Sequence, residues 1–170
     1  MTGSLIAKIF PGVAEMTNIH PMVVHFPIAL LNAFLVMELL GFLLKRENFR
    51  SAATWMLYLG TVGAAGAVVA GLWAATTVSH AHEAHAIMLR HRNIALVVFT
   101  LAIVLSVWRL LVHERFSLRG QLMHLLMAVI MVTLMAFGAD LGGLMVYKYG
   151  VAVKAVPVSD VHAHGGRGQE

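Results

Sequence analysis

Four stretches of about twenty residues carry almost no charge, and a chain built this way has few folds open to it. They cover residues 22–44, interrupted by Asn32 and Glu38; 52–78, without a charged residue; 93–112, with Arg109 near the end; and 122–141, closing on Asp140. A helix needs about 20 mostly apolar residues to cross the hydrocarbon core. It is favoured there because each backbone N–H and C=O finds its partner within the segment. The chain has 170 residues, 59% of them hydrophobic and 12% charged, against about 25% charged in a soluble domain. The expectation is an all-α integral membrane protein: a four-helix antiparallel bundle in a lipid bilayer.

The sequence divides into an interfacial segment (residues 1–17), the four-helix domain (18–153) and a flexible polar tail (154–170). The opening residues lack the order of charged, apolar and cleavage-site segments that marks a secretory signal, so a cleavable one is not expected. The chain contains no cysteine, which excludes disulfides, zinc–thiolate sites and iron–sulfur clusters built by this chain. A formal charge of +4 calls for no nucleic-acid partner, because basic residues at the bilayer edges account for it. No serine or cysteine nucleophile, phosphate loop or paired-carboxylate arrangement stands out. An electron carrier or a subunit of a redox complex therefore fits better than a stand-alone enzyme.

Antiparallel crossings put the short basic connections, residues 45–50 and 113–119, on one side. The N-terminus, a histidine-rich connection at 79–92 and the tail fall on the other. Lysine and arginine are equally numerous on the two sides. Those of the basic side crowd the span ends, where the positive-inside rule weighs them most. The resulting orientation, in a bacterial inner membrane, has the basic side in the cytoplasm and both termini and the histidines in the periplasm.

The histidines carry the functional argument. His20 and His25 open the first span; His80, His82, His85 and His91 lie in the histidine-rich connection, on the same side. Ionisable groups inside a membrane are costly and usually face the bundle interior. His25, about one and a half turns past His20, is therefore read as an inward ligand, opposed across the bundle by His91 or His85. Two imidazoles are a standard axial pair for haem iron and suit electron transfer, since no coordination position stays open. In this reading His20 orients a ligand or substitutes for one, and Arg90 and Arg92 hold the haem propionates. The small residues Gly63, Ala67 and Gly71 recur every four positions, either for close helix packing or to give a flat macrocycle room. Copper or zinc is the alternative, with His80, His82 and His85 beside Glu83 as nitrogen and oxygen ligands. On the basic side Glu38 faces either His124 or Arg109, and a second haem would need His113 with His124. No internal repeat and no charged path through the bundle is evident, which leaves a transporter the least favoured class.

The segment His20-Pro-Met-Val-Val-His25-Phe-Pro27, together with Gly142-Gly-Leu-Met-Val-Tyr-Lys-Tyr-Gly150, resembles the bacterial family called domain of unknown function 2231. The likeness covers about residues 18–153. It implies a small membrane protein of about four helices, of a kind sometimes joined to cytochrome c modules. That association implies redox work at the periplasmic face. His20 and His25 match the family's motif, whereas the roles of His80, His82, His85 and His91 rest on position alone. Together these readings describe a b-type cytochrome-like protein that holds haem b and passes electrons between a quinone and a periplasmic c-type cytochrome or other redox subunit. A non-catalytic accessory subunit is the competing class.

Overall fold

The computed structural model describes residues 7–77, 82–112 and 117–153, and of residues 82 and 83 the backbone alone. A short helix α1 (Pro11–Glu15) precedes α2 (His20–Val23), α3 (His25–Leu44), α4 (Glu47–Thr77), α5 (His82–Val112) and α6 (Leu118–Tyr147). Four helices are long and apolar enough to cross a membrane: His20–Leu44, Glu47–Thr77, Ala84–Val112 and Leu118–Tyr147.

The first crossing is α2 and α3 joined at Val24, which keeps right-handed helical angles. The break there has a simple cause. Pro27 has no N–H to give the carbonyl four residues earlier, so one rung of the ladder is missing. Asn18 Oδ1 accepts the His20 backbone N–H at 3.0 Å and starts the helix, as asparagine does in turns.

Two elements differ from the sequence reading. The histidine-rich connection is largely helical, since α5 begins at His82. Between His82 and Arg92 there is neither glycine nor proline, and alanine, leucine, methionine and arginine all favour helix. The last helix outruns the apolar stretch read as 122–141: α6 takes in Gly142–Gly143 and continues to Tyr147. The stop comes at Gly150, whose φ of 59° is left-handed. Its N–H reaches Val146 O at 3.0 Å, and Val151 N–H reaches Met145 O at 3.0 Å, satisfying carbonyls at the helix end. His80, the side chains of His82 and Glu83, His113 and the tail 154–170 lie outside the described residues.

The four long helices form a square. α3 packs most extensively on α4 and α5 on α6; the two hairpins then meet through α4 with α5 and α3 with α6. The core lies between them and consists of Leu31, Phe34, Ala53, Leu57, Val98, Ala102, Leu105, Ala128 and Met131. Phe26, Trp55, Val62, Trp73, Leu111 and Phe137 are exposed, the apolar exterior that lipid contact allows.

Candidate functional site

Along α3 the buried residues are Pro27, Leu31, Phe34, Glu38 and Gly41, spaced by three and four as one helix face requires. Counting back seven residues from Pro27 along the same face leads to His20, not His25. The structure follows that count. His20 is half-buried, whereas His25 is exposed and does not face the bundle interior.

On α5 the same distinction separates His91, half-buried, from His85, which is exposed. Six residues apart, they point to different sides of one helix. Arg90 and Arg92 flank His91 and are exposed.

His20 and His91 meet between the hairpins. Their ring centroids are 6.3 Å apart and the planes stand at 86°. Each ring is fixed from behind by a backbone carbonyl: His20 Nδ1 lies 3.1 Å from Ala67 O on α4, and His91 Nδ1 lies 2.8 Å from Gly138 O on α6. A carbonyl only accepts, so both Nδ1 atoms carry hydrogen and donate. In the neutral rings both Nε2 atoms then bear a lone pair. This is how metal-binding histidines are commonly held, with the second nitrogen anchored to a carbonyl or carboxylate.

The small-residue face of α4 explains how His20 reaches its place. A Cβ on Gly71 would stand 2.9 Å from His20 Cε1, and one on Gly63 would stand 3.3 Å from Pro27 Cδ. Ala67 between them is buried and supplies the carbonyl. The stripe Gly63, Ala67, Gly71 thus receives α2 and α3, and the room expected there for a flat macrocycle is taken by Pro27, Phe26 and the His20 imidazole.

A second polar group sits far along the same bundle. Arg109 Nη1 donates to Glu38 Oε2 at 2.8 Å, and His124 Nδ1 lies 3.3 Å from Glu38 Oε1. Glu38 is 8% exposed, Arg109 3% and His124 0%. Phe34 and Trp108 set their rings edge-on to His124 at 5.9 and 5.8 Å. The two pairings open to Glu38 in the sequence are thus both made. Among the described residues no group of three or more histidine, aspartate or glutamate side chains is arranged to hold a metal ion. The proposed set of His80, His82, His85 and Glu83 is mostly outside those residues.

A family model described as a predicted membrane protein, DUF2231, matches residues 16–155. The chain belongs to this family. The match takes in all four crossings and both polar groups. No curated protein and no solved structure matches the chain.

Proposed function

We propose that this DUF2231 protein is a b-type cytochrome-like electron carrier whose haem is held by His20 and His91. The observation that carries the reading is the His20–His91 pair itself, drawn from different hairpins with each Nδ1 anchored to a carbonyl. Two imidazoles sharing one metal through Nε2 have centroids roughly 6 Å apart, given metal–nitrogen bonds of about 2 Å; here they are 6.3 Å apart. A pair of ligands suffices for haem iron, which takes its other four from the macrocycle.

The residues divide the work. His20 and His91 would bind the iron, while the carbonyls of Ala67 and Gly138 hold the rings in the tautomer that leaves Nε2 basic. Arg90 and Arg92, both exposed and adjacent to His91 in sequence, would pair with the haem propionates. His25, on the outer face, has no part in ligation. When bound, haem supplies a centre that gains and loses one electron with no coordination position open to substrate. Such a carrier suits transfer between a quinone in the bilayer and a c-type cytochrome or other redox subunit at the periplasmic surface of a bacterial inner membrane.

The test is an oxidised-minus-reduced visible spectrum of detergent-purified protein made with ample haem. Wild type and His25→Ala should show a Soret and an α-band; His20→Ala and His91→Ala should lose both. A colourless wild type would end the haem reading. Stoichiometric copper or zinc that both variants abolish would then favour an ion-handling protein. A metal-free wild type would favour an accessory subunit.

A further inference from the structure

The residue pattern shows no repeat, yet the structure contains one. Glu38 pairs with Arg109, and Arg50 Nη2 donates to Gln121 Oε1 at 3.5 Å, both across 71 residues. His20 and His91, which face each other, are separated by the same 71 residues. Each histidine anchors on a carbonyl 47 residues further on, so Ala67 and Gly138 are equivalent too. Buried positions follow the same offset: Leu31 with Ala102, Phe34 with Leu105, Leu57 with Ala128. The glycines beside the rings, Gly71 and Gly142, are again mates. Even the seams correspond, since the offset converts the α4–α5 contact into the α6–α3 contact.

Side chains that meet their own equivalents lie at a two-fold axis. Both units enter and leave on the same sides of the bundle, so the axis runs along the membrane normal. We infer that the bundle is one helical hairpin used twice, α2–α3–α4 and α5–α6, closed about this axis, and that the Glu38–Arg109 pair makes each hairpin accept the other and reject its own kind.

The reason is what each position would meet in a like-with-like pairing. Glu38 would face a second Glu38, and Arg109 a second Arg109, buried where neither water nor salt screens them. His20 and His91 are identical and cannot discriminate. Arg50 and Gln121 discriminate weakly, because Arg50 is partly exposed. Selection by an introduced repulsion is a known way to obtain specificity. The inference stands whether or not a haem is bound.

Full-length chains carrying two different tags test it by co-expression and detergent purification. Glu38→Arg sets two guanidiniums against each other within its chain, and Arg109→Glu sets two carboxylates against each other with only the His124 imidazole beside them. Each variant offers the other what it lacks. Co-expressed, the two variants should recover each other at least about tenfold better than either recovers itself or wild type recovers wild type, as a change of one to a few kcal/mol in pairing implies. Both substitutions in one chain should restore the monomer. Singly reversed chains that stay folded and monomeric would overturn the inference. So would opposite variants that ignore each other while the doubly substituted chain folds. If that double variant fails, Ala53→His with His124→Ala carries the neighbouring imidazole to its mate position; failure of that chain as well denies the equivalence of the two sites.

Discussion

The two ends of the bundle axis solve opposite problems with equivalent positions. At one end two identical imidazoles face each other; at the other, a carboxylate faces a guanidinium. Opposite charges complete each other, and Glu38 is satisfied within the chain by Arg109 and by the neighbouring His124. The two imidazoles have both Nδ1 atoms engaged by carbonyls, which leaves Nε2 of a neutral ring with a lone pair; a group between them that accepts electron pairs would join them. On the proposed reading the charged pair is the lock and the imidazole pair the place for a ligand, because a lock is satisfied by its own residues.

The largest expected effect falls on the lock. Removing one member of a buried ion pair leaves the other charge uncompensated, and typically costs about 3–5 kcal/mol. Glu38→Ala or Arg109→Ala should therefore lose most of the folded protein, read as unfolding of the detergent-solubilised chain by denaturing surfactant. Replacing both by apolar residues, Glu38→Leu with Arg109→Met, should recover much of that loss. His20→Ala removes a hydrogen bond of the kind that averages about 0.6 kcal/mol within membranes, and should leave the bundle standing. If His20→Ala unfolds the protein as readily as Glu38→Ala, the division into lock and ligand site fails.

A smaller effect separates the two glycines beside the imidazoles. A Cβ on Gly71 meets His20 Cε1 at 2.9 Å and Nδ1 at 3.1 Å, whereas one on Gly142 meets His91 Cε1 at an ordinary 3.5 Å. Gly71→Ala must push the His20 ring off Ala67 O; Gly142→Ala need move little. Loss of the partner that orients a metal ligand typically weakens binding by about 10–100-fold. In haem titrations of the purified apoprotein, Gly71→Ala should fall near the lower figure and Gly142→Ala should match wild type. Equal losses would show that the ring positions are not set by these contacts.

Much of this architecture is legible in the sequence. The four crossings follow from unbroken apolar length, a signal that no soluble fold imitates at this frequency. The side on which the histidines gather follows from the alternation of crossings. Depth is a misleading signal here: His25 lies further into the apolar segment than His20 yet is exposed, whereas His20 is half-buried. The better signal was phase, because His20 falls on the same helical face as Pro27, Leu31, Phe34 and Glu38, and His91 on that of Val98, Ala102, Leu105 and Arg109. The repeat is faint in the sequence because it is kept in burial more than in residue identity. Phe34 and Leu105, or Leu57 and Ala128, fill equivalent places with different side chains; Glu38 and Arg109 even reverse the charge. The equal intervals from His20 to Glu38 and from His91 to Arg109, with the matched Gly71 and Gly142, are its traces in the sequence.

The smallest effect probes the seams, where the two-fold is imperfect. Between α4 and α5 the hydroxyls of Thr61 and Ser106 share a hydrogen bond of 2.9 Å. At the equivalent places between α3 and α6 stand Val132 and Leu35, both packed against the core. The architecture thus already closes one seam without any hydroxyl. Thr61 also donates to Leu57 O on its own helix at 2.7 Å, so once Ser106 is alanine its exchange for valine leaves no hydroxyl of this pair stranded between helices. Ser106→Ala should cost about 0.6 kcal/mol, the membrane average for such bonds. Thr61→Val added to it should cost little more, since the shared bond is already gone and the pair is non-additive. The check is a double-mutant cycle by surfactant unfolding. A coupling of several kcal/mol would mean that this seam, unlike its mate, depends on polar contact, and that the two hairpins close by different means.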